Sequence, residues 1–66
     1  MQMQIRNKKY EVNTKVFIKD SALCVVKLKS GFLAVDKVMY RNGKYITETL
    51  RRKNIFKREI LGIIQG

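Results

Sequence analysis

Histidine, tryptophan and proline are missing from the chain, and cysteine occurs once, at Cys24. Each absence closes off a kind of chemistry or architecture. One cysteine cannot make an internal disulfide framework. Without histidine or a Cys-x-x-Cys pair, a zinc site has no ligand set, and no metal or other cofactor is expected. Histidine is also the commonest general acid–base. The five carboxylates, Glu11, Asp20, Asp36, Glu48 and Glu59, are scattered and form no paired arrangement. "SGF" and "RNGK" are single-glycine turns, unlike the glycine-rich loops that cradle phosphates. The sequence therefore predicts a protein that is not an enzyme.

Long apolar runs are also lacking. None approaches the roughly 18 residues of a membrane span, and "MQMQIRNKK" has no apolar core of a secretory signal. No membrane partner is expected. Cys24 lies between apolar neighbours in "SALCVVKL" and reads as a small buried hydrophobe rather than a reactive thiol. A lone thiol in such a setting fits a reducing cytoplasm.

Acid is the remaining scarcity, and it turns attention to what is abundant. Fifteen Lys+Arg stand against five Asp+Glu, a net charge of +10 on 66 residues. Such a surplus repels itself and is better tolerated when a polyanion neutralises it. Nucleic acid is the expected partner, and an acidic protein surface is the alternative. The hydrophobic share of 45% is that of a folded domain. With no linker or repeat, residues 1–66 read as one domain. A chain this short buries only about 60% of its unfolded surface, so a homo-oligomer is a further expectation.

The apolar pattern has a period of two rather than 3.6. "MQIRNKKYEV" reads as two short strands around a turn at Arg6 to Lys9. "KVFIKD" sets Val16 and Ile18 against Lys15, Phe17 and Lys19. In "ALCVVKLKSGFLAVDKVMY", Val26 and Leu28 alternate with Lys27 and Lys29 before a "KSG" turn, after which Leu33 and Val35 resume. Asn42-Gly43 is a hairpin signal, because both residues tolerate the positive φ of a type I′ turn. Residues 54–64 fit either two closing strands or a short C-terminal helix capped by Asn54, with the isoleucines in the core in both cases. The expected fold is mostly β, a small barrel of five to six strands, since closure removes exposed edges. SH3-like and Sm-like barrels suit this length.

"VVKLKSGFLAV" resembles the first signature of Sm-like proteins, an apolar–x–Leu–x–x–Gly strand-turn-strand. "IFKREILGI" is similar to the closing segment of the bacterial Sm/Hfq-like small β-barrel proteins, at about the expected separation. The resemblance covers the second half of the chain. It implies a ring-forming barrel that binds RNA, with Phe56, Lys57 and Arg58 matching the family's aromatic-Lys-His segment near the pore. Arg58 stands where that family has histidine.

The candidate contacts to phosphate are Lys27, Lys29, Lys37, Arg41, Lys44, Arg51, Arg52, Lys53, Lys57 and Arg58. Lysine and arginine form charge-assisted bonds to phosphate oxygens, arginine in a bidentate manner. Arg51, Arg52 and Lys53 are consecutive and extend towards Lys57 and Arg58. Phe17, Tyr40 and Tyr45 are the candidates for stacking on bases, being placed beside cations. Phe32 and Phe56 are assigned to the core. The function these features predict is a non-catalytic module that holds nucleic acid by its phosphates, RNA over DNA. The alternative is a small phage-type or mobile-element regulator that docks on a larger host protein or nucleoprotein.

Overall fold

Among the described residues, every strand runs antiparallel to its sheet neighbours. The computed structural model describes residues 1–49 and 53–65, with Lys53 described as backbone only. Seven strands form among the described residues: β1 (Gln2–Ile5), β2 (Lys8–Asn13), β3 (Ser21–Lys27), β4 (Leu33–Arg41), β5 (Lys44–Thr47), β6 (Lys53–Ile55) and β7 (Ile60–Gln65). Their order in the single sheet is β1-β2-β7-β3-β4-β5-β6. The architecture is mostly β, as the alternation implied, but it has seven strands rather than five or six. The sheet is open, with β1 and β6 at its two ends.

The C-terminal segment is strand, not helix. Ile60, Ile63 and Ile64 are β-branched and lose side-chain freedom in a helix, whereas a pleated surface accommodates them. The only helical piece among the described residues is a 3₁₀ turn, Lys57–Glu59. It is closed by the Glu59 amide donating to the Phe56 carbonyl at 2.9 Å, while the Phe56 amide donates to the Glu59 carboxylate at 2.9 Å. β6 and β7 are each antiparallel to β3 when directions are counted across the sheet. A hairpin between them is therefore impossible, and the 3₁₀ turn carries the chain onward. No helix among the described residues is long and apolar enough to cross a membrane.

The core is double because β3 is covered on both faces. Cys24, Val25 and Val26 are consecutive and all fully buried. Cys24 and Val26 point to an inner cluster with Ile18, Val38, Ile55 and Ile60. Val25 points to an outer cluster with Ile5 and Val12, where the β1–β2 hairpin folds over the sheet. A strand buried on both sides reads as a continuous apolar run, which explains "LCVV". At β7 the ladder slips: Val25 pairs with Gly62 but Val26 with Ile60, leaving Leu61 as the extra residue of a bulge.

Several local expectations change. Residues 14–20 form no strand, although the alternation survives as half-buried Val16 and buried Ile18 against exposed Lys15, Phe17 and Lys19. β3 ends at Lys27, so Lys29 belongs to the turn that follows and does not share a strand face with Lys27. Phe32 and Phe56 are not core residues: they are 72% and 58% exposed. Phe32 follows Gly31 in the tip of the β3–β4 connection, where a bond from the Leu28 amide to the Phe32 carbonyl closes the loop outside the sheet. Phe56 follows the inward-facing Ile55 and so turns outward. Cys24 is buried as expected.

Candidate nucleic-acid interface

The hairpin of β4 and β5 organises the site. Its turn is Asn42-Gly43, with φ of 52° and 75°, which sets Arg41 opposite Lys44 and Tyr40 opposite Tyr45. Paired residues share a face, so Arg41 and Lys44 lie together on the outer face and the two tyrosines on the other. The tyrosine rings pack with centroids 4.9 Å apart and a 47° tilt. Tyr45 leans on the inner core, leaving Tyr40 as the more exposed ring of the pair.

β6 brings the second group of residues to the same hairpin. Tyr45 pairs with Ile55, so Phe56 emerges beside the Lys44 end of β5. The 3₁₀ turn then presents Lys57 and Arg58, both exposed. The Arg58 guanidinium lies over the Phe56 ring, 4.6 Å from its centroid. An arginine stacked on an exposed ring is held flat at low entropic cost and keeps its N–H donors free for oxygen acceptors.

The segment 14–20 closes the third side. The Tyr40 amide donates to the Asp20 carbonyl at 3.0 Å, and the Arg41 guanidinium donates to the Asp20 carboxylate at 2.6 Å. Both charged side chains are more than half exposed, so this pair is worth at most about 1 kcal/mol and yields readily to a phosphate. Lys19 adjoins Asp20, and Phe17, 80% exposed, stands two residues further back. Among the described residues, Lys19, Lys44 and Lys57 have no carboxylate partner.

Of the residues anticipated from sequence, the fold therefore sets Arg41, Lys44, Lys57 and Arg58 around the tip of the β4–β5 hairpin, with Tyr40 and Tyr45 on the hairpin's opposite face. Lys37 shares the outer face of β4 with Arg41, two positions of alternation away, and lies opposite Leu23. Lys27 pairs with Leu33 on that face, and Lys29 sits in the β3–β4 connection near the exposed Phe32. They form a second basic region. Arg51 and Arg52 lie outside the described residues. Lys53 is placed only by its pairing with Ile46.

The apolar pattern assigns Phe56 to the core, only the resemblance setting it beside Lys57 and Arg58, and sequence reasoning passes over Lys19. The reason at Phe56 is a bulge: Tyr45 pairs with Ile55 but Ile46 with Lys53, so Asn54, with φ of 66°, is inserted and the alternation shifts by one. Asparagine tolerates that conformation, and it was the one available signal. No group of three or more His, Cys, Asp or Glu side chains converges among the described residues. Compared with known proteins, the chain matches no protein-family model, no curated protein and no solved structure.

Proposed function

We propose that this chain is a non-catalytic nucleic-acid-binding module, acting in the cytoplasm, that holds a single strand by its phosphates. The observation that carries this reading is the placing of Arg41, Lys44, Lys57 and Arg58 with exposed Phe56 around the tip of the β4–β5 hairpin, exposed Tyr40 lying on the hairpin's other face. Cations register the backbone, and exposed rings stack on unpaired bases, a combination that suits single strands and RNA over DNA. The order β7-β3-β4-β5-β6, with a 3₁₀ turn before the last strand, supports an SH3-like or Sm-like barrel as the parent architecture. The far edge of β7 is already paired with β2, so a homo-oligomer built by strand pairing would use the β1 or β6 edge.

The test is fluorescence anisotropy of short single-stranded RNA, single-stranded DNA and duplex over a salt series. The expected order is RNA, then DNA, then duplex, with log affinity falling linearly as log salt rises, by about 0.7 for each phosphate contacted on a single strand. Binding that ignores salt would sink the proposal.

A second reading draws on the part of the same outer face that lies away from the hairpin turn. Leu23, 47% exposed, and half-buried Met39 and Ile46 lie on the outer face beside Lys37. An apolar strip edged by lysine suits an acidic protein partner, as for a small regulator docking on a larger host protein. Retention of one stoichiometric protein from nuclease-treated lysate, lost on Leu23→Asp, would favour it.

A further inference from the structure

The β1–β2 hairpin uses a costly turn. Ile5 pairs with Lys8, leaving Arg6-Asn7 as a two-residue connection in which Arg6 adopts φ of 57°. Glycine and asparagine populate that region easily, whereas arginine does so rarely. A strained residue is worth following to what it faces.

Arg6 faces a cavity of about 380 Å³, within the range of small-ligand sites, about 300–1,000 Å³. The cavity exists because β5 is shorter than β4. β3 pairs with β4 from Leu33 to Met39, but β5 covers only Val38 to Arg41. Among the described residues, no strand pairs with the other edge of β4 at Ala34–Asp36, and the hairpin tip stands opposite it. Ile5, Tyr10, Val35 and buried Asp36 line the interior, while exposed Arg6 and Lys8 stand at the mouth.

The charges dictate the polarity of a ligand. The Asp36 carboxylate accepts the backbone amides of Lys37 at 2.8 Å and Thr49 at 3.1 Å, and a carboxylate oxygen in the interior gives an anion no donor. At the mouth the groups are cationic. The Lys8 ammonium lies 5.4 Å from the centroid of the Tyr10 ring, and among the described residues neither Arg6 nor Lys8 has a carboxylate partner. The complementary ligand is anionic at one end and flat, neutral and stackable at the other. We propose that this cavity binds one nucleotide unit, with its phosphate on Arg6 and Lys8 and its base against Tyr10 and Val35. The inference builds on the nucleic-acid reading, but its residues are separate from those of the interface. A free nucleotide and the phosphorylated end of a strand present the same chemistry.

Amide chemical shifts of the intact chain, titrated with adenosine 5′-monophosphate, adenosine and inorganic phosphate, test it. The nucleotide should move the amides of Ile5, Val35 and Thr49, with adenosine and phosphate each about tenfold weaker, because each offers half of the recognition. Lys8→Gln should weaken the nucleotide about tenfold. Arg6→Gly should do the same while leaving the melting temperature unchanged or higher, since glycine relaxes the turn. Phosphate acting as strongly as the nucleotide, or nucleotide shifts confined to other residues, would overturn the proposal. A 5′-phosphorylated tetranucleotide that moves these amides when its unphosphorylated form does not would assign the site to strand ends; response to the mononucleotide alone would assign it to free nucleotides. Lys44→Gln with Lys57→Gln should weaken oligonucleotide binding but leave the mononucleotide shifts intact, so the two readings fail separately.

Discussion

A methyl group added at Gly62 would lie 2.2 Å from Val12 Cγ1 and 2.9 Å from the Asn13 carbonyl oxygen. The first contact could yield by moving a side chain; the second is backbone and cannot yield without shifting β2 off β7. Gly62→Ala should therefore destabilise the domain by about 2–3 kcal/mol in urea unfolding, the upper range for overpacking. Pairing it with Val12→Ala should recover about 1 kcal/mol through coupling, because only the side-chain clash is relieved. Cys24 gives a prediction in pH. Burial pushes its thiol up from 9.0 to about 11. Between those values the unfolded chain gives up the thiol proton and the folded chain keeps it. Stability contributed by the neutral thiol is thus complete below about pH 9 and declines up to about pH 11, by about 2–3 kcal/mol. Urea unfolding across that window, compared with Cys24→Ala, isolates the effect: the variant should lack this part of the decline. Equal slopes would mean the thiol titrates normally.

Among the elements, the β4–β5 hairpin was the most legible from sequence, because Asn42-Gly43 encodes its turn in two adjacent residues and Tyr40 and Tyr45 meet as its register requires. Nothing lies within 4 Å of a Cβ built on Gly43, so Gly43→Ala probes backbone conformation alone. Its cost should be about 1 kcal/mol by thermal unfolding, smaller than at Gly62 because no atom must move. The less legible elements are those governed by distant partners. Residues 54–64 carry both helical and strand periodicity, and the choice falls to β2 and β3, which take up both edges of β7. The bulges at Leu61 and Asn54 shift the alternation by one residue, and no local pattern announces them. That shift is why Phe56 reads as core in the sequence and stands outside in the fold. The cavity below the β1–β2 hairpin was invisible for a related reason: it depends on β4 outrunning β5, a difference in strand lengths that appears only once the pairing is known.

For the whole molecule, a charge of +10 weakens folding through self-repulsion unless counter-ions or a polyanion offset it. The positions of the cations then distinguish a general basic coat from an interface. On the proposed reading, Lys44 and Lys57 contact phosphate, whereas Lys9, exposed on β2 opposite Gln4, belongs to neither the interface nor the cavity mouth. Neutralising a contacting lysine should reduce the slope of log affinity against log salt by about 0.7 on a single strand. Lys44→Gln and Lys57→Gln should each show that loss, and together about 1.4; Lys9→Gln should leave the slope unchanged. Phe56→Ala separates stacking from charge. It should weaken single-strand binding by about 1–3 kcal/mol while preserving the slope, because a ring releases no counter-ions. It should also loosen Arg58, whose guanidinium rests on that ring, so Arg58→Lys ought to reproduce part of the loss without changing net charge. If Lys9→Gln lowers the slope as much as Lys44→Gln does, the strand is held by diffuse charge over the whole surface, and the convergence around the β4–β5 hairpin has no role in binding.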